Sequence, residues 1–191
     1  MSEALLDFVL TLDRLKLVER RNGLAGGARL ENTAEHSWHA ATMALVLHSA
    51  CAFPVDAARA SRMLLLHDIP EIVCGDTFLY DAAREAASQS EEQALDQLLG
   101  ALPADTAGEM AALWREFTAG QSADARYAYA IDRLMPVLLN ISNDGDVWRR
   151  HGVQRAQVMA MNQPVSEAFP GLWIKVRTRI DEIFDRIERG A

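Results

Sequence analysis

Apolar residues recur at helical spacing along almost the whole chain, and no run of alternating Val, Ile and Thr of strand character interrupts them. That periodicity confines the fold to an all-α class, a bundle of about seven helices. Leu5, Leu6, Val9, Leu12 and Leu15 follow Ser2, a suitable N-cap. They predict a first helix that runs out near Asn22-Gly23, with Gly26-Gly27 in a loop. Thr33 caps a second helix to about His48. Pro54 and Asp56 open a third, whose Met63-Leu64-Leu65-Leu66 run looks buried on several sides. Pro70 has no N–H to return to Leu66, so this helix kinks or ends near Asp68 and restarts. Asp81 opens a helix ending at Gly100, and Pro103 precedes another that stops at Gly120. Ser122 caps a long segment interrupted at Pro136. A loop through Asn140–Trp148, a short helix over 153–161 and an amphipathic helix over 172–189 complete the chain.

The chain has 191 residues, half of them from the AVILMFWYC set, enough for one core without disulfides. A single domain over 1–191 is the expectation. The net charge of −8 disfavours wrapping nucleic acid or lying on an anionic membrane. No apolar run approaches the roughly 18 residues of a membrane span. Glu3 and Asp7 stand where a signal peptide would be basic and then apolar. Cys51 and Cys74 make neither a disulfide framework nor a C-x-x-C pair, so a reduced, cytoplasmic setting is expected. Acids outnumber bases nine to two over 81–124, which reads as a solvated face.

Histidines stand at 36, 39, 48, 67 and 151. The informative pair is His67-Asp68, at the end of an apolar helix, with Glu71 one turn on and Gly75-Asp76 beyond. A His-Asp dipeptide alone is a weak signal, but unpaired polar groups are costly beside a buried run. Adjacent helical residues project about 100° apart, so both reach one ion only if it lies between them at the helix surface. Glu71 returns to the same face. Imidazole with carboxylate suits Mn, Fe, Co, Ni or Zn and tolerates Mg. Two neighbours cannot close such a site. His36, in Thr33-Ala-Glu-His-Ser-Trp-His-Ala, and Asp132, in Ala130-Ile-Asp-Arg-Leu, are the candidate partners. Each has a plainer explanation. His36 could be a satisfied surface or core residue, and Asp132 could pair with Arg133 or Arg126. Gly75-Asp76 could be a helix stop and an N-cap. His39 rivals His36, while His48 reads as structural and Cys74 as a small buried residue.

The order His36 … His67-Asp68 … Asp132 resembles the H…HD…D signature of the HD-domain metal-dependent phosphohydrolases. Leu15–Arg20, Glu31–Ser37, His67–Glu71, Gly75-Asp76 and Ala130–Leu134 are similar to the YfbR-type 5′-deoxynucleotidases and their eukaryotic HD-domain relatives. The likeness is strongest over 5–140, and 141–191 would supply C-terminal helices of the same domain. It implies an HD-domain bundle and one divalent metal per chain, held by His36, His67, Asp68 and Asp132. It implies a water-dependent attack that removes the 5′-phosphate of (deoxy)nucleoside monophosphates, with Arg20, at the end of the first helix, on the substrate phosphate. By its place on the ligand-bearing face Glu71 would orient or deprotonate the attacking water, and Asp76, beyond Gly75, would reach the leaving-group side or the sugar. Glu71 as partner of a ligand histidine is the competing role. A homodimer is also implied, with Trp173 and Phe184 of the last helix available for its interface. The alternatives are an HD hydrolase of a nucleoside triphosphate, cyclic nucleotide or guanosine polyphosphate, or a catalytically silent nucleotide-binding regulator.

Overall fold

The computed structural model of the protein describes residues 3–81 and 84–189, and the side chains among these outside 84–89. Eleven α-helical segments follow in order among the described residues: α1 (Glu3–Leu12), α2 (Thr33–Leu47), α3 (Ala57–Leu66), α4 (Glu71–Cys74), α5 (Arg84–Leu99), α6 (Ala104–Ala119), α7 (Ala123–Ser142), α8 (Asp146–Arg150), α9 (Arg155–Met161), α10 (Gln163–Ala168) and α11 (Pro170–Glu188). The helical bundle expected from the periodicity is present, and stretches between its long members are themselves short helices. The Ser2 cap lies outside the described residues.

The first helix is shorter than its apolar spacing suggested. It ends at Leu12, a 3-10 turn covers Asp13–Leu17, and Glu19–Gly23 (β1) pairs antiparallel with Leu30–Asn32 (β2). Polar residues fill β1, so no apolar alternation announced it. Gly26 and Gly27 make the connecting turn with φ of 87° and 70°, where a side chain would be strained. The clamp on this hairpin comes from far along the chain. Asn143 accepts from Gly26 N at 3.0 Å and donates to the carbonyls of Gly23 and Leu24 at 3.1 and 2.9 Å.

Asn32, one residue before the expected Thr33, is the N-cap of α2, closing a capping box with Glu35. Ala40, Ala41 and Ala44 line the buried face of α2, and their small size admits α3 closely, with Ser61 Oγ donating to Ala41 O. Asp56 caps α3 and Ser122 caps α7, as expected. The chain breaks after α3 at Pro70 and restarts as α4. Pro136, by contrast, does not end α7, which runs through it for 20 residues. α7 is the central element. Tyr127, Ala128, Ile131, Leu134 and Met135 are inaccessible to solvent, and Tyr127 Oη donates to Ala44 O at 2.7 Å.

Two expected placements are corrected. Phe184 is buried and stacks on Trp148, ring centroids 5.1 Å apart, because α8 folds back over α11; it offers no interface, and Trp173 is half-buried. Cys74 is exposed, because α4 is a single turn at the surface. On the acidic stretch, Arg115 bridges Glu92 and Asp96, so part of its charge is compensated locally. No helix among the described residues is long and apolar enough to cross a membrane.

Candidate metal centre

Three packed helices deliver the candidate ligands to one point. The capping box fixes the first turn of α2, and His36 falls on its buried side. Trp114 Nε1 donates to His67 O at 2.9 Å and holds the backbone where α3 ends. Asp132 sits mid-way along α7, 8% exposed, one helical turn before Pro136. His36 Nε2 lies 3.0 Å from Asp132 Oδ1, and His67 Nε2 lies 3.4 Å from the same atom. Ligand atoms of His36, His67 and Asp132 all fall within 4.8 Å of one another. Asp68 Oδ2 is 3.1 Å from His67 Nε2 and 3.8 Å from His36 Nε2, but it also accepts from Arg20 at 2.9 Å. The compact group is therefore His36, His67 and Asp132, with Asp68 at its edge.

The donor chemistry calls for a cation at this point. His67 Nδ1 donates to Leu64 O at 2.8 Å, so a neutral ring turns the Nε2 lone pair toward two carboxylates. That buried Nε2 makes no hydrogen bond of acceptable geometry. Burial opposes a charge on the ring, yet Asp68 and Asp132 prevail and push its pKa up to about 10. A divalent ion can take the place of that proton. Ligands at about 2.1 Å from an ion stand roughly 3.0–3.4 Å apart, the range that most of these pairs occupy. Burial raises the proton affinity of both aspartates. For Asp68 it is outweighed by His67 and Arg20, and for Asp132 by the hydrogen bond with His36 and the nearby His67 ring, so both stay well below the usual carboxylate range.

Arg20 is on β1, not at the end of a helix. Strand alternation turns Arg20 and Asn22 away from the exposed Glu19 and Arg21. Its guanidinium lies among four carboxylates: Asp68, Asp76 at 3.4 Å, Glu71 at 3.8 Å and Glu31 at 3.9 Å. Glu71, 8% exposed, accepts from Thr33 Oγ1 at 2.8 Å; burial and then Asp68 push its carboxyl up to about 9. Asp76 follows Gly75, which ends α4 at φ 76°, and caps no described helix. Burial, aided by Asp68 and opposed by Arg20, raises its pKa.

His39 is half-buried on α2 outside this group, and exposed His48 bonds Leu45 O. Several site residues had no role assigned from sequence. Glu31, 1% exposed, directs Oε2 to within 3.7 Å of His36 Nδ1. Arg133, weighed from the sequence only as a possible ion-pair partner of Asp132, is 3% exposed beside it. His67, Asp68, Glu71, Asp76 and Asp132 line an open cleft with a cavity volume of about 100 Å³. Phe78, Tyr80, Trp114, Phe117 and Tyr129 also line it. A lining of ionisable and aromatic side chains suits a small ligand with an anionic end and a flat apolar end.

A family model described as HD domain matches residues 12–173. The 5′-deoxynucleotidase HDDC2 of Bos taurus is 31% identical over 136 residues, covering 70% of this chain and 65% of that protein. Its Homo sapiens counterpart is 29% identical, covering 72% and 67%. The match thus spans about two thirds of the length of these curated relatives. Among solved structures, a predicted metal-dependent phosphohydrolase from Magnetospirillum magnetotacticum MS-1 has a TM-score of 0.89 at 43% identity, covering 96% of this chain and 92% of that one. An HD-domain phosphohydrolase from Listeria innocua has a TM-score of 0.63 at 14% identity, covering 97% and 88%, a likeness of fold alone.

Proposed function

The chain belongs to the HD-domain family, and from that premise we propose that it is a divalent-metal phosphohydrolase removing the 5′-phosphate of deoxynucleoside monophosphates. The observation that carries this reading is the convergence of His36, His67 and Asp132, with Asp68 at its edge, beside a Glu71 that favours its proton. The naming of the matched relatives as 5′-deoxynucleotidases supports the finer choice of substrate.

In this reading His36, His67, Asp68 and Asp132 hold one divalent ion per chain. When bound, such an ion polarises a phosphoryl oxygen and makes a neighbouring water more acidic. Glu71 favours its proton at neutral pH, so it is its ionised fraction, a stronger base than a free carboxylate, that takes the proton of the attacking water. Asp76 stands on the loop side and serves the departing 5′-oxygen. Arg20 sits between these acids on the cleft floor, where its fork can meet phosphate oxygens while holding the carboxylates apart. Glu31, beside His36 Nδ1, orients that ring. The reading includes a single HD domain over 1–191 and a cytoplasmic homodimer. Trp38 and Val46 of α2, 66% and 67% exposed, are candidates for the dimer contact in place of Phe184.

The deciding experiment is phosphate release from a panel of ribo- and deoxyribonucleoside mono- and triphosphates, cyclic nucleotides and guanosine polyphosphates. Each is tested with Mn or Co and with chelator. Metal-dependent release from 5′-deoxynucleoside monophosphates is expected. Turnover of another ester alone would reassign the substrate. No turnover with metal bound would favour a silent nucleotide-binding role.

A further inference from the structure

Arg133 has a place that the reading above leaves unused. It follows Asp132 on α7, and its side chain is 4% exposed. Its Nη2 donates to Tyr129 Oη at 2.7 Å, and its guanidinium lies over the Tyr129 ring at 4.5 Å. Tyr129 is one turn earlier on the same helix, so the two side chains brace each other. The buried Nε, however, has no hydrogen-bond partner, and the nearest carboxylate oxygen, Asp132 Oδ2, is 3.9 Å away. A buried N–H without an acceptor is costly unless a ligand supplies one. Both residues line the cleft above the candidate metal centre.

Electrostatics give the same answer. Arg20 is the other guanidinium buried in the cleft, and four carboxylates surround it. A phosphomonoester brings close to two negative charges at neutral pH. Arg20, whose buried Nε also lacks a hydrogen-bond partner, has its charge balanced by those four acids. Arg133 has a single carboxylate within 4 Å, Asp132 at 3.9 Å, and keeps more of its charge for a ligand.

We propose that Arg133, braced by Tyr129, is a phosphate-binding residue that favours a terminal, dianionic phosphomonoester over a singly charged diester. This rests on the cleft being the phosphohydrolase site. The role differs from tuning Asp132 as a ligand, which would act on metal affinity.

The test is calorimetric titration of Mn-loaded protein with inorganic phosphate and with dimethyl phosphate, which carries one charge. Wild type, Arg133→Lys, Arg133→Met and Tyr129→Phe are compared, with Mn affinity measured in parallel on the metal-free proteins. Wild type should bind inorganic phosphate more tightly than dimethyl phosphate. Arg133→Lys, which keeps a charge but loses the fork, should bind phosphate about tenfold more weakly with Mn affinity unchanged. Should Arg133→Met fail to fold, Arg133→Lys and Tyr129→Phe still decide. Wild-type phosphate affinity in Arg133→Lys, or a loss that follows weakened Mn binding, overturns the proposal. If wild type hydrolyses no nucleotide yet binds phosphate through Arg133, the function reading fails and this one stands. If wild type hydrolyses nucleotides and Arg133→Lys binds phosphate normally, only this one fails.

Discussion

Loading the metal-free protein with a divalent ion should expel one proton at neutral pH, and that proton should come from His67. Its imidazole, ordinarily near 6.5, is held up to about 10 against the cost of burial by Asp68 and Asp132. At pH 7 only about one ring in a thousand is then neutral and able to ligate. The apparent Mn affinity should rise about tenfold per pH unit from roughly pH 6.5 until it levels near pH 10. Asp68 and Asp132 add nothing to this slope, because both are already ionised there. Stability follows the same linkage. A histidine with a raised folded pKa contributes fully below about 6.5 and loses that contribution as pH climbs toward 10. The chelated protein should therefore lose thermal stability across that window more steeply than the Mn-loaded one. Proton release is measured by titration calorimetry in two buffers of different ionisation enthalpy, and stability by melting with and without chelator. Mn binding with no proton released, or with an affinity flat between pH 6.5 and 8.5, would refute a proton held on His67 by Asp68 and Asp132 in the metal-free site.

Other substitutions test the surrounding machinery. Asp132→Ala should abolish Mn retention, since two histidine Nε2 atoms meet its Oδ1; full stoichiometry by elemental analysis would remove it from the ligand set. Glu71→Gln mimics the protonated carboxyl and should keep the fold and the metal while lowering kcat by on the order of 10²–10⁴-fold. Recovery of that rate at excess metal would instead make Glu71 a support for the ligands. Gly145→Ala should destabilise by about 2 kcal/mol or more, read by urea melts. Gly145 has φ of 73°, and a Cβ there would stand 2.5 Å from Ile183 Cγ2.

Local chemistry in the sequence sufficed for the helices and for the order of the candidate ligands. Apolar spacing, Asp56 and Ser122 as caps and the break at Pro70 act within a few residues, so they are readable without a partner. His67-Asp68 with Glu71 was legible for the same reason, as neighbours on one turn. What the tertiary structure decided were contacts spanning many residues. The β1–β2 hairpin exists because Asn143 clamps it, and its polar strand shows no period that could announce it. That strand, and not a helix end, carries Arg20 into a ring of acids drawn from β2 and the 68–76 stretch. Phe184 looked like exposed amphipathic surface until Trp148 stacked on it. Arg133 and Glu31 read as ordinary charges in the sequence. Only packing buries them beside Asp132 and His36, because desolvation and the field of distant charges are properties of the assembled helices and not of any one segment.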